Sequence, residues 1–254
     1  MMKPFHAGPA VGLVLLAGAL AFGAHAQEAP PKSVKVAARK NPGDLRYRFF
    51  FDGQKTLLGY LPPEPRMLDV MWRTSFTELP MPEQDAYDPQ GWAVSIVSDS
   101  VDQVVRVRRG GYFWLPDLPV AYKELATIMF REQSAPRELG VGWIVRVKPD
   151  HRLSYADFGK VMDEIHGVQK AIPVYHFWVH TEKFADYDGV KACFLDADGA
   201  VLIDGRPAAD ARVGNCSVLK FDPARAGAGE TIEFSGPLDI VTVVETRPYL
   251  RTKS

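Results

Sequence analysis

The sequence predicts an α+β fold: a small mixed sheet covered by two helices in the order β-β-α-β-α-β, framed by β-rich N- and C-terminal segments. Three observations carry this. Short apolar stretches alternate in-and-out through the middle of the chain. Two stretches there repeat with helical spacing instead. Pro and Gly, 20 and 21 of 254 residues, punctuate both flanks.

The N-terminus reads as a cleaved export signal over residues 1–26. Lys3 gives a positive start, Val11 to Ala24 is an apolar run, and Ala24-His25-Ala26 is a small-x-small cleavage pattern. The run is shorter than the ~20 residues a membrane-spanning helix needs. The expected location is the periplasm or outside the cell. Without Lys3 the balance is 29 basic against 31 acidic residues, which gives no general attraction to nucleic acid or to an anionic membrane. Residues 27–43 are polar, basic and rich in Pro and Ala, and read as a flexible leader.

In the segment 44–100, Leu45–Leu61 reads as a β-hairpin turning at Asp52-Gly53. Met67–Leu79 fits either a strand or a short helix, Pro80–Pro89 a loop, and Gly91–Val97 a strand. The segment 101–180 is the predicted α/β domain. Val101–Arg108 alternates as a strand, and Gly110-Gly111 turns it into Tyr112–Leu115. Pro119–Phe130 reads as a helix with Pro in its first turn. Val141–Val147 is a strand, with Val141, Trp143 and Val145 on one face. Ser154 and Asp157 form a variant capping box before Phe158, Val161, Met162 and Ile165, with Gly167 as the expected stop. Pro173–His180 follows as a strand, completing a βαβ unit whose two strands should be parallel. Residues 181–254 read as an all-β extension packing with the N-terminal hairpin and turning at Asp-Gly pairs.

Cys193 and Cys216 are the only cysteines. In an oxidising compartment an even pair is expected to bond, closing a loop of ~24 residues. The alternative is a nucleophilic Cys216 with a distant His.

No Gly-x-Ser-x-Gly elbow or Gly-rich phosphate loop occurs. Asp163 and Glu164 diverge by about 100° on their helix, so they make no acid–base pair. His176 and His180 lie on a predicted strand, where residues four apart stand ~13 Å from each other, too far for one metal ion. With Asp186 they are the candidates for a metal site, and no cofactor is indicated. The Asp-Gly turns offer oxygens to calcium but lack the full binding loop. Arg106, Arg108 and Arg109 are the candidate ligand-binding residues, because guanidinium forks match carboxylates bidentately; an edge strand kept soluble by charge is the competing explanation.

The stretch Val104–Val179 resembles the periplasmic domain of the ExbD/TolR family. The likeness rests on Arg109-Gly110-Gly111-Tyr112-Phe113 leading into the Pro119–Phe130 helix, on Val145 to Tyr155 as a strand followed by a charged turn, and on Phe158 to Ile165 with its Val161-Met162-Asp163 step. It implies a domain that dimerises and contacts envelope proteins and, in some members, peptidoglycan. Members carry a membrane helix with a proton-coupling acid; here a cleavable signal stands instead. Asp69 lies among Arg66, Arg73 and Glu78, so that role is not carried over to it. The expected function is therefore a non-catalytic periplasmic binding or scaffolding protein with a transport-accessory role, not an enzyme. A secreted metal-dependent hydrolase and a periplasmic inhibitor or immunity protein are the alternatives.

Overall fold

Three antiparallel sheets, rather than one small mixed sheet, organise the chain in a computed structural model that describes residues 45–76, 81–87, 94–130, 137–173 and 183–250. These residues belong to one compact unit, Lys40–Ser254. The predicted signal (1–26), the leader (27–43) and the Val174–His180 portion of the last predicted strand lie outside the described residues. The α+β class stands, but the fold is strand-dominated, and every strand pairing among the described residues is antiparallel.

The strands are β1 (Leu45–Arg46), β2 (Leu68–Phe76), β3 (Val94–Val97), β4 (Asp102–Val105), β5 (Val107–Arg108), β6 (Tyr112–Phe113), β7 (Thr127–Phe130), β8 (Arg137–Val145), β9 (Arg152–Ser154), β10 (Gly189–Phe194), β11 (Ala200–Ile203), β12 (Arg206–Pro207), β13 (Ala211–Val213), β14 (Cys216–Lys220), β15 (Thr231–Ser235) and β16 (Leu238–Val244). The helices are α1 (Tyr47–Leu58), α2 (Met81–Ala86), α3 (Pro119–Lys123), α4 (Tyr155–Ala171) and α5 (Arg247–Leu250). The central sheet runs β13-β14-β10-β16-β8-β2-β6-β5. Two four-stranded sheets run β1-β7-β3-β4 and β12-β11-β15-β9. The central sheet takes strands from all three segments 44–100, 101–180 and 181–254.

Several local expectations change. Leu45–Leu61 is not a hairpin; after the two residues of β1 it is α1. Tyr47, Phe50, Phe51, Gln54 and Leu57 recur at helical spacing and are buried. Asp52-Gly53 sits inside this helix, where Gly53 lets the Trp72 ring come close: a Cβ there would meet the ring at 3.2 Å. The expected Pro119–Phe130 helix stops at Lys123, and Leu125 turns the chain with φ at +55°. Thr127–Phe130 then pairs with β3 and buries Ile128 and Phe130. Sheet pairing overrides the helical spacing there. Val101–Arg108 divides at Arg106 between two sheets, and the expected loop at Pro80–Pro89 contains α2.

The strongest helix signal held. Ser154 Oγ accepts from Asp157 N at 3.0 Å, and Phe158, Val161, Met162 and Ile165 are buried. Gly167 does not stop α4, which continues to Ala171. Lys183 Nζ satisfies the carbonyls of Gln169 and Ile172 at 3.0 and 2.7 Å, supplying the missing C-terminal partners. The turn from β8 into α4 is not a simple crossover, because β9 intervenes and pairs with β15.

The two faces of the central sheet differ. Leu68, Val70, Trp72, Trp143, Val190, Ala192 and Val243 enter the main core, which α1 and α4 also enter. Alternation puts Met71, Arg73, Ile144, Lys191, Cys193, Cys216 and Ile240 on the opposite face. Cys193 and Cys216 are directly opposite each other on β10 and β14 and form the disulfide.

Candidate functional site

Two carboxylates organise the charged groups on that second face. The first, Asp85 of α2, is fully buried. Arg73 of β2 and Tyr249 of α5 both hydrogen-bond to it, and Lys191 Nζ of β10 lies 2.6 Å from its Oδ1. Lys191 itself is 1% exposed. The Tyr112 ring lies against both cations, 5.0 Å from the Arg73 guanidinium and 5.7 Å from Lys191 Nζ, and a ring face favours positive charge. Gly142 makes room for this ring, since a Cβ there would fall 2.2 Å from it. Arg73 Nε also donates to the Gly110 carbonyl at 3.1 Å.

Burial alone would push the Asp85 carboxyl up. The charges of Lys191 and Arg73, with hydrogen bonds from Lys191 and Tyr249, outweigh it and hold the group below the usual carboxylate range. Burial, reinforced by the Asp85 charge, pushes the Tyr249 phenol well above its ordinary value. The ionised acid and neutral phenol therefore stabilise each other. This centre ties α2, β2, β10 and α5 together from within the fold.

The second carboxylate, Asp239 of β16, is 3% exposed and gathers the three predicted arginines. Arg106 reaches Oδ1 at 3.0 Å, Arg108 donates to the Asp239 carbonyl and lies 3.5 Å from Oδ1, and the Arg109 backbone N–H donates to Oδ2 at 2.8 Å. Arg109 Nη2 donates to the Leu195 carbonyl at 3.3 Å, and its side chain is buried. The carboxylate held by this arginine group is thus the chain's own. It is outnumbered: Arg106 is 66% and Arg108 32% exposed above it. Burial and the neighbouring Arg106 charge lower the Arg108 pKa against the pull of Asp239.

The other candidates do not assemble. His176 and His180 lie outside the described residues, and Asp186 is exposed. Among the described residues no group of three or more His, Cys, Asp or Glu side chains is placed to hold a metal ion. Asp69 pairs with Arg66 at 3.2 Å and Arg146 at 2.9 Å, which is a surface network. Of the Asp-Gly pairs, Asp204-Gly205 is a hairpin tip, with φ at +48° and +75° between β11 and β12.

No family model, curated protein or solved structure matches this chain.

Sequence reasoning missed the Asp85 centre. One signal was available: Lys191 interrupts the apolar run Val190-Lys191-Ala192-Cys193-Phe194, and a lone cation in a strand buried on both faces requires a buried acid. Nothing in the sequence around Asp85 marks it as that acid.

Proposed function

We propose that this chain is a non-catalytic exported binding protein of the bacterial envelope, holding an anionic group of an envelope protein or of peptidoglycan on Arg106 and Arg108. The observation that carries the reading is the charge imbalance at Asp239: two partly exposed guanidiniums share one buried carboxylate. Like charges held side by side favour a further anion, and guanidinium forks recognise carboxylate or phosphate. The disulfide is compatible with an extracellular or periplasmic location, as is the lack, among the described residues, of a helix long and apolar enough to cross a membrane. This function does not require a single-sheet domain of ExbD/TolR type; strands of 101–180 are shared among three sheets.

The test is co-sedimentation with purified peptidoglycan, alongside capture from an envelope extract. Retention that weakens with added salt and with Arg106→Gln supports the reading. Absence of retention in both assays, or retention indifferent to Arg106, overturns it.

A further inference from the structure

A second place on the molecule, built from different elements, is concave and lined by charges of both signs. A concavity of about 420 Å³ lies between the β11–β12 hairpin and the segment running from the Pro223–Arg225 turn to β15. Ile203, Pro207 and Ala208 give it an apolar lining, and Asp204, Arg206, Arg225 and Glu230 supply its charges. The volume lies within the range of about 300–1,000 Å³ usual for ligand pockets.

Both walls are fixed in place. On one side, Asp204 and Gly205 form the two-residue turn, and Asp204 is tied to β15 twice: its N–H donates to the Thr231 carbonyl and its Oδ1 accepts from Thr231 N, each at 3.1 Å. On the other side, Arg225 Nε donates to Glu230 Oε2 at 2.7 Å, and its guanidinium lies 5.1 Å from the Tyr155 ring at the start of α4. The Glu230 carbonyl in turn accepts from Tyr155 N at 2.9 Å.

The anchoring bonds leave polar capacity of both signs unused. The Arg206 guanidinium makes no hydrogen bond or ion pair among the described residues, although an exposed edge strand holds its backbone in place. Asp204 Oδ2 and Glu230 Oε1 likewise carry no hydrogen bond there, since each carboxylate uses its other oxygen. The lining has two cations and two anions and is electrically neutral, so it gives a lone anion or a lone cation no net attraction. A molecule with one charge of each sign satisfies both.

We infer that this concavity binds a small zwitterion of the peptide class, its carboxylate held by Arg206 and its ammonium by the free oxygens of Asp204 and Glu230, with a short side chain on Ile203, Pro207 and Ala208. The inference does not depend on the Arg106–Arg108 surface. A free dipeptide and the end of a longer chain share this carboxylate chemistry and differ in the amine.

Titration calorimetry of the disulfide-bonded protein with L-alanyl-L-alanine, its N-acetyl form and its C-terminal amide tests it. The expected result is saturable one-to-one binding of the parent dipeptide and at least a tenfold loss for each blocked form. Arg206→Gln and Asp204→Asn should each cost at least tenfold. Both positions are exposed, and Asn tolerates the positive φ at 204, so the fold should survive; an unchanged melting temperature checks this. Absence of saturable binding overturns the inference, as does unchanged binding by Arg206→Gln. Equal binding of the N-acetyl form assigns the site to a carboxylate alone and also overturns it.

Discussion

Asp85 and Asp239 are both nearly inaccessible carboxylates held by basic side chains, yet their surroundings differ in one respect. Of the cations on Asp85, Lys191 is buried with it at 1% exposure and Arg73 is mostly covered at 14%. Those on Asp239 lead outward, Arg106 at 66%. In the first place the charges meet one another inside the fold, so the pairing locks distant segments together. In the second, water reaches the cations, and the pairing instead presents them at the surface. The same chemistry serves cohesion or display according to where the far end of the cation lies.

That contrast can be broken most directly at the acids. Asp85→Ala takes the carboxylate from the buried Lys191 ammonium, and an uncompensated buried charge costs about 3–5 kcal/mol. Asp239→Ala strands the Arg109 N–H but lets Arg106 turn to solvent, for a loss of about 1–3 kcal/mol. Urea unfolding of both variants gives the ranking, and a larger loss at Asp239 would refute the distinction. Replacing Cys193 and Cys216 together by Ser should cost about 3 kcal/mol from loop closure, because the bridge staples β10, which carries Lys191, to β14.

The pH dependence sharpens the same contrast. The Asp85 pKa is lowered in the folded state, so its contribution is full above the ordinary carboxylate range and is lost as pH falls through the lowered value. The Tyr249 pKa is raised, so its contribution is full below the ordinary tyrosine value and is lost as pH rises through the raised one. Melting temperature against pH should fall on both sides, and Tyr249→Phe should shrink the alkaline fall. Tyr47 and Tyr155, also raised mainly by burial, leave a remainder. An alkaline limb unchanged in Tyr249→Phe would remove the phenol from the account.

Smaller effects complete the series. Ser154→Ala removes the cap of α4 and should cost about 1 kcal/mol in urea unfolding. Arg106→Gln should change stability by less than about 0.5 kcal/mol, because exposed ion pairs contribute little, while weakening retention on peptidoglycan. A loss of stability in this variant comparable to that in Asp85→Ala would mean that Arg106 holds the fold together, as the Asp85 cations do.

Features set by neighbours in sequence were legible there. The capping residue and apolar repeat of α4 lie within one short window, and the alternation of Val141, Trp143 and Val145 belongs to a single strand. Cys193 and Cys216 had no competing thiol. Asp204-Gly205 and Asp52-Gly53 mark where such reading ends. The same dipeptide is a hairpin tip in one place and helix interior in the other, because Trp72, distant in sequence from the helix interior it packs on, buries the apolar face of α1.

The chain's local patterns by themselves determined α4 with its cap, the β-rich C-terminal third and the pairing of the two cysteines. Tertiary structure alone decided that Thr127–Phe130 would be a strand, that residues 101–108 would serve two sheets, and which acid each buried cation would meet. The physical reason is sequence distance. Arg106 meets Asp239 across 133 positions, and Tyr249 meets Asp85 across 164; no periodicity or turn signal in a short window encodes a contact that exists only once the sheets have assembled.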